Sequence, residues 1–362
     1  MTGLYIHYPF CKNLCFYCHF IKSKYGYDKN KRYIKAIIKE IESISKYGET
    51  YDTIYFGGGT PSLLRENLYI IIENMEKYLK TDLKEVSIEI NPEDINNELI
   101  KILKDSKISR VSIGIQQTDD RLLNLLGRKH SVNDIIRGVK LLKKEKFILN
   151  FDFIVGIPTE TKKEIEKIIT FIKDFEPDSL SIYLLENIKG KYWDKFKKLD
   201  DDEKIENFEL IENFLESIDI KRYEISNFAK RGKESIHNLK YWNYEDFLGI
   251  GPSASSLYKG RRWKNKDSFI QWENKTLKDG NKRGEEYYLS NSDLIKEAIM
   301  MGLRKIEGIN ITYFTKRFGI SPIKVLKDIL NDKTDFFEIK DDFVRIKREN
   351  LFIFNSLLSE LF

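Results

Sequence analysis

All three cysteines of this 362-residue chain lie in one short segment, at Cys11, Cys15 and Cys18. Three randomly chosen positions would fall this close together about one time in a thousand. An odd count in a reducing compartment argues against a disulfide framework and favours metal ligation. Zinc is disfavoured, because His19, the nearest fourth ligand, directly adjoins Cys18. An iron–sulfur cluster suits the thiolates better, and three cysteines would leave one iron of a cubane cluster without a protein ligand. The alternative is that the three cysteines are buried structural thiols.

The composition is that of a globular protein with 41% apolar and 33% charged residues, enough for one large domain and a smaller one. Lys and Arg total 62 against 57 Asp and Glu, so the net charge of +5 gives no reason to infer nucleic-acid binding. The sequence shows neither a secretory signal nor an apolar run of the roughly 20 residues that a membrane span needs. We therefore expect a cytoplasmic protein.

Short β-rich runs alternate with segments of helical periodicity in the first half of the chain. The helical segments include Arg32–Ser45 and Glu160–Lys173, each with isoleucines on one face. Six βα units with right-handed crossovers predict a parallel sheet curled into a full or partial barrel. The predicted strands are Leu4–Tyr8, Thr53–Phe56, Val86–Ile90, Arg110–Ile115, Leu149–Val155 and Leu180–Leu184.

Chemically distinctive residues follow the predicted strands, where the functional loops of such barrels lie. The cysteines follow the first strand, and a glycine run of Gly57, Gly58 and Gly59 follows the second. Asn91 and Pro92 follow the third strand. Gln116 follows the fourth strand, and a Gly-x-Pro turn follows the fifth. This convergence predicts a functional site at the carboxyl ends of the strands.

The second half of the chain predicts three further segments after a barrel core at residues 1–225. Residues 226–273 are irregular and rich in Asn, Gly, Tyr and Trp, and we expect them to close the barrel. Residues 274–290 are polar and turn-prone, which predicts a linker. Residues 291–362 combine helical segments with the β-like run Phe343–Ile346, which predicts a small helical domain with a wing.

The cysteine spacing Cys11-x-x-x-Cys15-x-x-Cys18, with Tyr17 before the last cysteine, resembles the cluster motif of radical S-adenosylmethionine (SAM) proteins. Other motifs resemble the coproporphyrinogen III dehydrogenase-like branch, whose members include HemN and HemW. The resemblance implies an α/β fold, a partial (β/α)6 barrel with a small, mainly helical, winged-helix-like C-terminal domain. The matching motifs are Tyr5-x-His7-x-Pro9-Phe10-Cys11, Gly57-Gly58-Gly59-Thr60-Pro61-Ser62, Glu89-x-Asn91-Pro92, Ser112-x-Gly114-x-Gln116, Leu126-Gly127-Arg128-x-His130, Asp152-x-x-x-Gly156-x-Pro158, Tyr223-Glu224-x-Ser226-Asn227-Phe228 and Gly302-Leu303-Arg304.

The resemblance also implies a [4Fe-4S] cluster on the three cysteines, with the fourth iron chelated by the amino and carboxylate groups of SAM. Glycines after the second strand would let backbone groups approach the SAM amino group. Carboxylates and amides suit ribose hydroxyls, and a guanidinium suits a carboxylate. Ordinary polar strand ends are the alternative for any one of these residues. The SAM candidates are Tyr5, Tyr17, Gly58, Gly59, Thr60, Glu89, Gln116, Arg128 and Asp152.

Two features resemble HemW-type rather than HemN-type proteins. Phe20 occupies the position where HemN-type dehydrogenases carry another cysteine, so coproporphyrinogen III dehydrogenase activity is not expected. The HemW-type sequence His-Asn-x-x-Tyr-Trp, associated with haem binding, begins here at His237. Imidazole can ligate haem iron, and the rings of Tyr241 and Trp242 could pack on the macrocycle, whereas a histidine bonded within a loop is the alternative. One departure is that a Gly-Ala-His sequence usual in the family is absent after Gly251.

The resemblance thus implies a radical SAM-type haem chaperone that binds a cluster, SAM and haem and transfers haem to apo-haemoproteins. A radical SAM enzyme acting on a tetrapyrrole, either a coproporphyrinogen III dehydrogenase or a haem-degrading methyltransferase, is the alternative. The implied partners are haem, an apo-haemoprotein acceptor and a reductant such as flavodoxin or ferredoxin. A homodimer and covalent haem attachment are left open.

Overall fold

The computed structural model describes residues 1–185, 192–279, 283–330, 334–354 and 356–357. The strands are β1 (Thr2–Tyr8), β2 (Phe10–Cys11), β3 (Ser23–Lys24), β4 (Thr50–Gly58), β5 (Lys80–Ile90), β6 (Arg110–Gln116), β7 (Ile148–Val155), β8 (Ser179–Leu184), β9 (Lys221–Arg222), β10 (Asn227–Ala229), β11 (Phe247–Ile250), β12 (Ser255–Tyr258), β13 (Arg261–Asn265), β14 (Arg283–Tyr288), β15 (Ile309–Asn310), β16 (Phe337–Lys340) and β17 (Phe343–Ile346). The helices are α1 (Tyr27–Ile44), α2 (Asn67–Tyr78), α3 (Asn97–Asp105), α4 (Asp120–Leu125), α5 (Val132–Leu142), α6 (Lys162–Phe175), α7 (Asp201–Ser217), α8 (Ile236–Trp242), α9 (Phe269–Asp279), α10 (Asn291–Gly302), α11 (Ile311–Phe318) and α12 (Pro322–Leu330). No helix in these ranges has the length and hydropathy that crossing a membrane requires.

One large sheet organises the molecule, with strand order β14-β13-β12-β11-β1-β4-β5-β6-β7-β8-β10-β9. Its six central strands, β1 and β4 to β8, run parallel, and all six correspond to strands predicted from the sequence. The helices between them cross over as βα units. All six carboxyl ends therefore lie along one edge, where the cysteine segment and the glycine run follow β1 and β4.

The two faces of the central strands differ in polarity. Ile54 and Phe56 of β4 are buried among the helices, and Val86 and Ile88 of β5 extend the same apolar layer. The alternate positions carry polar side chains on the opposite face. Because successive residues of a strand point to opposite sides, this alternation marks one face as a functional surface, although parallel strands are commonly apolar on both faces.

The segment 226–273, predicted to close the barrel, adds strands to both edges of the large sheet. Strand β10 adds antiparallel to β8 at one edge, whereas β11 adds parallel to β1 at the other. Within the described residues the two edges of the sheet end at β9 and β14, which do not pair. Strand β10 lies between β8 and β9, whereas β11, which follows helix α8, lies between β1 and β12. The segment therefore extends both edges of the sheet.

Most of the predicted linker belongs to the sheet and a helix. Helix α9 occupies its first part, and β14 pairs antiparallel with β13 as the outermost strand of the large sheet. Residues 280–282 of this segment lie outside the described residues. Helix α10 then begins at a capping box, in which the Ser290 hydroxyl accepts the Asp293 N–H and the Asp293 carboxylate accepts the Ser290 N–H.

The C-terminal segment contains helices α10 to α12 and a three-stranded sheet of order β15-β17-β16. Its core includes Ile299 and Leu303, and this core is shared with Phe247 and Leu257 of the large sheet and with Tyr244 in the turn before β11. The segment is therefore packed against the barrel through a common apolar cluster. The boundary at residue 291 stays a prediction.

Candidate functional site

A cavity of about 770 Å³ lies against the polar face of the sheet. Arg110 and Gln116, the first and last residues of β6, both border it. At about 3.3 Å per residue, the cavity extends roughly 20 Å along this strand. Three cysteines, the glycine run and residues of the C-terminal segment share this one space. Its volume is in the range of cavities that bind cofactors or drug-sized ligands.

Cys11, Cys15 and Cys18 all border the cavity, Cys11 buried and the other two partly exposed. Two backbone hydrogen bonds anchor their loop: Tyr25 N–H donates to the Cys11 carbonyl at 2.8 Å at its start, and Phe16 N–H donates to the Leu126 carbonyl at 3.1 Å in its middle. Burial raises the pKa of the Cys11 thiol.

No three Cys, His, Asp or Glu side chains of the described residues converge on a single metal position. This arrangement would not hold a mononuclear ion as it stands. A cubane cluster does not require the three thiols to converge on one position, because each cysteine binds a different iron. Three thiols on one loop beside a cavity are therefore compatible with a cluster.

The glycine run packs against the cysteine segment more closely than the sequence suggested. Gly58 has φ +114°, and a Cβ there would lie 2.6 Å from the His7 ring. A Cβ at Gly59 would lie 2.7 Å from the Phe10 carbonyl oxygen. The missing side chains therefore serve contact with β1 and β2, whereas the predicted reason was approach to SAM alone. Gly58, Gly59 and Thr60 do border the cavity.

Glu89 is held beside the glycine run by two hydrogen bonds. Its carboxylate accepts the Gly58 N–H at 3.1 Å and the Tyr55 hydroxyl at 3.0 Å. Burial, with the charge of Asp152, raises the Glu89 pKa to about 7. A carboxylate this poorly solvated offers strong acceptor sites to a ligand's hydroxyl or ammonium group.

Asp152 lies on the same face two strands away. Its carboxylate accepts hydrogen bonds from the Ser112 hydroxyl and the Asn150 amide, both at 2.8 Å. Burial raises the Asp152 pKa to about 6, and these hydrogen bonds partly oppose that rise. Asn150 also donates to Ser181 at 2.8 Å, so a polar network fixes the floor of the cavity.

Arg128 reaches the cavity from the turn after α4. Its guanidinium donates to the Asn91 side chain at 3.0 Å and to the Gly114 carbonyl at 3.1 Å. The Arg128 Nε is buried without a hydrogen-bond partner among the described residues. Buried donors are rarely left unpaired, so this orphaned N–H fits a ligand acceptor in the cavity.

Two more predicted residues border the cavity near Arg128. Gln116 ends β6 with φ +68°, a strained conformation that is uncommon for residues other than glycine. Tyr17 lies between the second and third cysteines and is half-buried. The Asn91 amide, which orients Arg128, also donates to the Thr60 hydroxyl at 3.3 Å, so the second and third strand-end loops are joined.

Tyr5 is the one predicted SAM residue that does not border the cavity. Its hydroxyl is hydrogen-bonded to His7 Nδ1 at 3.0 Å, and its ring is stacked on Tyr55 at 6.1 Å. Tyr55 itself borders the cavity. Tyr5 therefore supports the cavity wall through its contact with Tyr55.

The His-Asn-x-x-Tyr-Trp motif forms helix α8, which packs on the polar face of the sheet. His237 is 1% exposed; its Nδ1 is hydrogen-bonded to Thr53 Oγ1 at 2.9 Å and its Nε2 to the Tyr241 hydroxyl at 2.7 Å. Burial lowers the His237 pKa to about 3. The axial ligand stays a prediction, and in this conformation haem iron could bind His237 only after one of these buried hydrogen bonds breaks.

Helix α8 is anchored by a buried ion pair. Glu85 accepts the His237 N–H at 3.1 Å and is paired with Arg110 at 2.8 Å. Neither Tyr241 nor Trp242 borders the cavity, whereas Asn238 of the same helix does. The Tyr241 ring packs on Phe247 at 4.6 Å, and the Trp242 ring lies 5.5 Å from the Arg304 guanidinium, so their packing on haem stays a prediction.

Sequence reasoning missed several residues of the cavity wall. Tyr55, Asn150, Ser181 and Tyr183 occupy alternate positions of β4, β7 and β8. The signal was present in the polar residues recurring at every second position of otherwise apolar strands. Arg304, Phe352 and other residues of the C-terminal segment also border the cavity, and no sequence pattern indicated that they would.

Residues 5–172 match the radical SAM superfamily, and residues 289–349 match the HemN C-terminal domain. The haem chaperone HemW of Bacillus subtilis is 31% identical over 344 residues, which cover 92% of this chain and 91% of that protein. The chain belongs to the HemW family. HemW of Lactococcus lactis is also 31% identical and covers 92% of this chain and 90% of that protein.

The chain shares its fold with a solved structure. Coproporphyrinogen III oxidase (HemN) from Escherichia coli, a radical SAM enzyme, has a TM-score of 0.85 at 19% identity, covering 99% of this chain and 89% of that chain. This likeness confirms the predicted radical SAM fold with a C-terminal domain. At such low identity it says nothing about the reaction.

Proposed function

We propose that this protein is a radical SAM-type haem chaperone that carries a [4Fe-4S] cluster, binds SAM, and binds haem for transfer to apo-haemoproteins. The observation that carries the proposal is the identity of 31% to a haem chaperone over 92% of the chain. Phe20, which replaces the additional cysteine of HemN-type dehydrogenases, supports this choice within the branch.

The cysteine loop and the polar strand ends support cluster and SAM binding. Cys11, Cys15 and Cys18 would hold three irons, and the cluster would supply an open iron that the SAM amino and carboxylate groups chelate. Glu89 and Asp152 offer carboxylates to the ribose hydroxyls, and Arg128 offers its unpaired Nε–H to an acceptor. Thr60, Gln116 and Tyr17 complete this wall of the cavity.

The remainder of the cavity supports haem binding. Beyond the SAM candidates it is bordered by the exposed Tyr183 and the half-buried Leu184 and Phe352, which offer apolar and aromatic surface to a macrocycle. We therefore assign haem to the cavity and leave His237 in its buried hydrogen bonds. The proposed setting is the cytoplasm, with an apo-haemoprotein as acceptor and flavodoxin or ferredoxin as reductant.

The test is anaerobic reconstitution of the full chain with iron and sulfide, followed by separate titrations with SAM and haemin. We expect about four irons per chain, lost in Cys15→Ala, and saturable binding of both ligands. A control substitution, Ser43→Ala, lies on helix α1 away from the cavity and should change neither. Stoichiometric zinc without affinity for iron would contradict the cluster.

The same preparation distinguishes a chaperone from a tetrapyrrole-modifying enzyme. Incubation with SAM and reductant should leave coproporphyrinogen III and haem chemically unchanged, and haem should pass to an added apo-haemoprotein. Decarboxylated product would favour the dehydrogenase, and an opened or methylated macrocycle would favour the methyltransferase.

A further inference from the structure

Arg304 projects from the C-terminal segment into the cavity although the sheet supplies most of the lining. It follows α10 in the Gly302-Leu303-Arg304 motif, to which neither the cluster nor the SAM site assigns a role. The backbone N–H of Ile225 donates to the Arg304 carbonyl at 3.1 Å. The arginine is thus attached to the large sheet by its backbone, and its side chain is presented to the cavity.

The guanidinium of Arg304 contacts aromatic rings and no acceptor. It lies 5.5 Å from the ring centroid of Trp242 and 5.1 Å from that of Phe354. Within the described residues no carboxylate or carbonyl group hydrogen-bonds to it. Burial lowers the pKa of Arg304, and the nearby Glu224 opposes this effect, but no hydrogen bond joins the two side chains. Glu224 Oε1 accepts hydrogen bonds from Asn227 and from the Ser226 N–H.

Arg222 shows what a structurally satisfied arginine looks like in the same cavity. Its guanidinium donates to the Ile225 carbonyl and is paired with Glu212 at 3.5 Å. Arg304 lacks such partners, and the indole N–H of its neighbour Trp242 is buried without an acceptor in the described part of the chain. The Arg304 guanidinium, which borders the cavity, is therefore left for an acceptor that the protein does not supply.

We propose that Arg304 is a carboxylate-binding residue of the cavity, where it receives a propionate of the bound tetrapyrrole. A planar guanidinium matches a carboxylate in a two-pronged hydrogen bond, and the two rings hold it in place without competing for its N–H groups. This inference rests on the proposed haem function and adds to it the group that recognises the charged edge of the ligand. The C-terminal segment thereby takes part in ligand recognition.

The experiment compares haemin with haemin dimethyl ester, in which both carboxylates are blocked. The full-length wild type should bind haemin about ten to a hundred times more tightly than the ester. Arg304→Met should lose that preference and bind haemin about as weakly as the wild type binds the ester, whereas its affinity for the ester should stay within about twofold. Arg304→Lys should restore part of the preference, because it keeps the charge but not the planar fork.

Lys305→Met is the matched control. This substitution removes the positive charge next to Arg304. The Lys305 ammonium group donates to the Asn243 side chain at 2.9 Å, and Lys305 does not border the cavity. Its preference for haemin should equal that of the wild type. Thermal unfolding of every variant shows whether it is folded. The comparison of haemin with its ester on the wild type tests the inference even if a variant does not fold.

The outcomes separate this inference from the proposed function. The role of Arg304 would be overturned if the wild type bound haemin and the ester equally well, or if Arg304→Met kept the preference for haemin. Saturable haemin binding in either case would leave the chaperone proposal standing. Absence of saturable haemin binding by the wild type would overturn both. SAM carries a carboxylate as well, so a loss of SAM affinity in Arg304→Met without a change for haemin would assign Arg304 to SAM and overturn the inference.

Discussion

Ile225 and Arg304 are joined by a backbone hydrogen bond of 3.1 Å, and a second one of 3.1 Å runs from the Ile306 N–H to the Tyr223 carbonyl. Between them Glu224 and Lys305 form an isolated antiparallel bridge. Two motifs that are far apart in the sequence therefore meet at the cavity wall. The C-terminal segment is fixed to the sheet at the residue that carries its guanidinium into the cavity.

Gly302→Ala should destabilise this attachment. A Cβ at Gly302 would lie 2.6 Å from Ile309 Cγ1, and the core around it is closely packed. We expect a loss of about 1–3 kcal/mol in the free energy of unfolding, measured by chemical denaturation. Gly26→Ala is the control, because the nearest atom to its Cβ would be 3.8 Å away. Equal effects of the two substitutions would contradict the close packing.

Gly58→Ala should lower both stability and SAM affinity. The new Cβ would press on His7 next to the cysteine loop, and φ +114° is unfavourable for alanine. Gly232→Ala isolates the cost of a positive φ, because Gly232 has φ +76° and no atom within 4 Å of its Cβ. We expect Gly58→Ala to lose about 1–3 kcal/mol more than this control. Unchanged stability with weakened SAM binding would instead support the reason predicted from the sequence.

Glu89→Gln should move stability and ligand binding in opposite directions. The folded-state pKa of Glu89 is raised from 4.5 to about 7, so ionisation destabilises the fold as the pH rises through that interval. At about pH 8 the neutral glutamine should therefore raise the free energy of unfolding by about 1–3 kcal/mol. SAM titration should show weaker binding, since a charged acceptor is lost.

The advantage of Glu89→Gln should fade as the pH falls from about 7 to about 4.5, below which the glutamate is protonated in both states. Glu166→Gln is the exposed control and should alter neither quantity. Equal stabilisation at both ends of the pH range would show that the charge of Glu89 is not the cause.

His237→Gln should cost stability near neutral pH while leaving haemin affinity within about twofold. The folded protein keeps His237 neutral, with its pKa lowered from 6.5 to about 3. As the pH falls below about 6.5, His237 is protonated in the unfolded chain but not in the folded chain. The free energy of unfolding of the wild type should therefore be about 3 kcal/mol lower near pH 4 than at neutral pH because of this residue. The stability gap between wild type and variant should therefore narrow with acidification. Strong loss of haemin binding in a folded His237→Gln protein would restore His237 as a ligand.

The six central strands were predictable because apolar β-branched runs and helical periodicity are local properties of the chain. The predicted runs were shorter than the observed strands where polar residues begin them, as in Lys80–Ile90. The C-terminal β-like run Phe343–Ile346 was found with its exact bounds. Sequence reasoning was less successful for 226–290, because the edge to which a short strand adds depends on contacts between distant parts of the chain.

The sequence by itself determined the cysteine loop, the family and the strand-end residues, since the spacing of chemically distinctive side chains is written directly into it. Only the tertiary structure decided which of those side chains have free hydrogen-bonding groups. His237 and Arg304 were both motif residues, yet His237 has both ring nitrogens engaged and Arg304 faces the cavity between two rings without an acceptor in the described residues. Availability for a ligand depends on neighbours contributed by distant segments, and no local pattern records them.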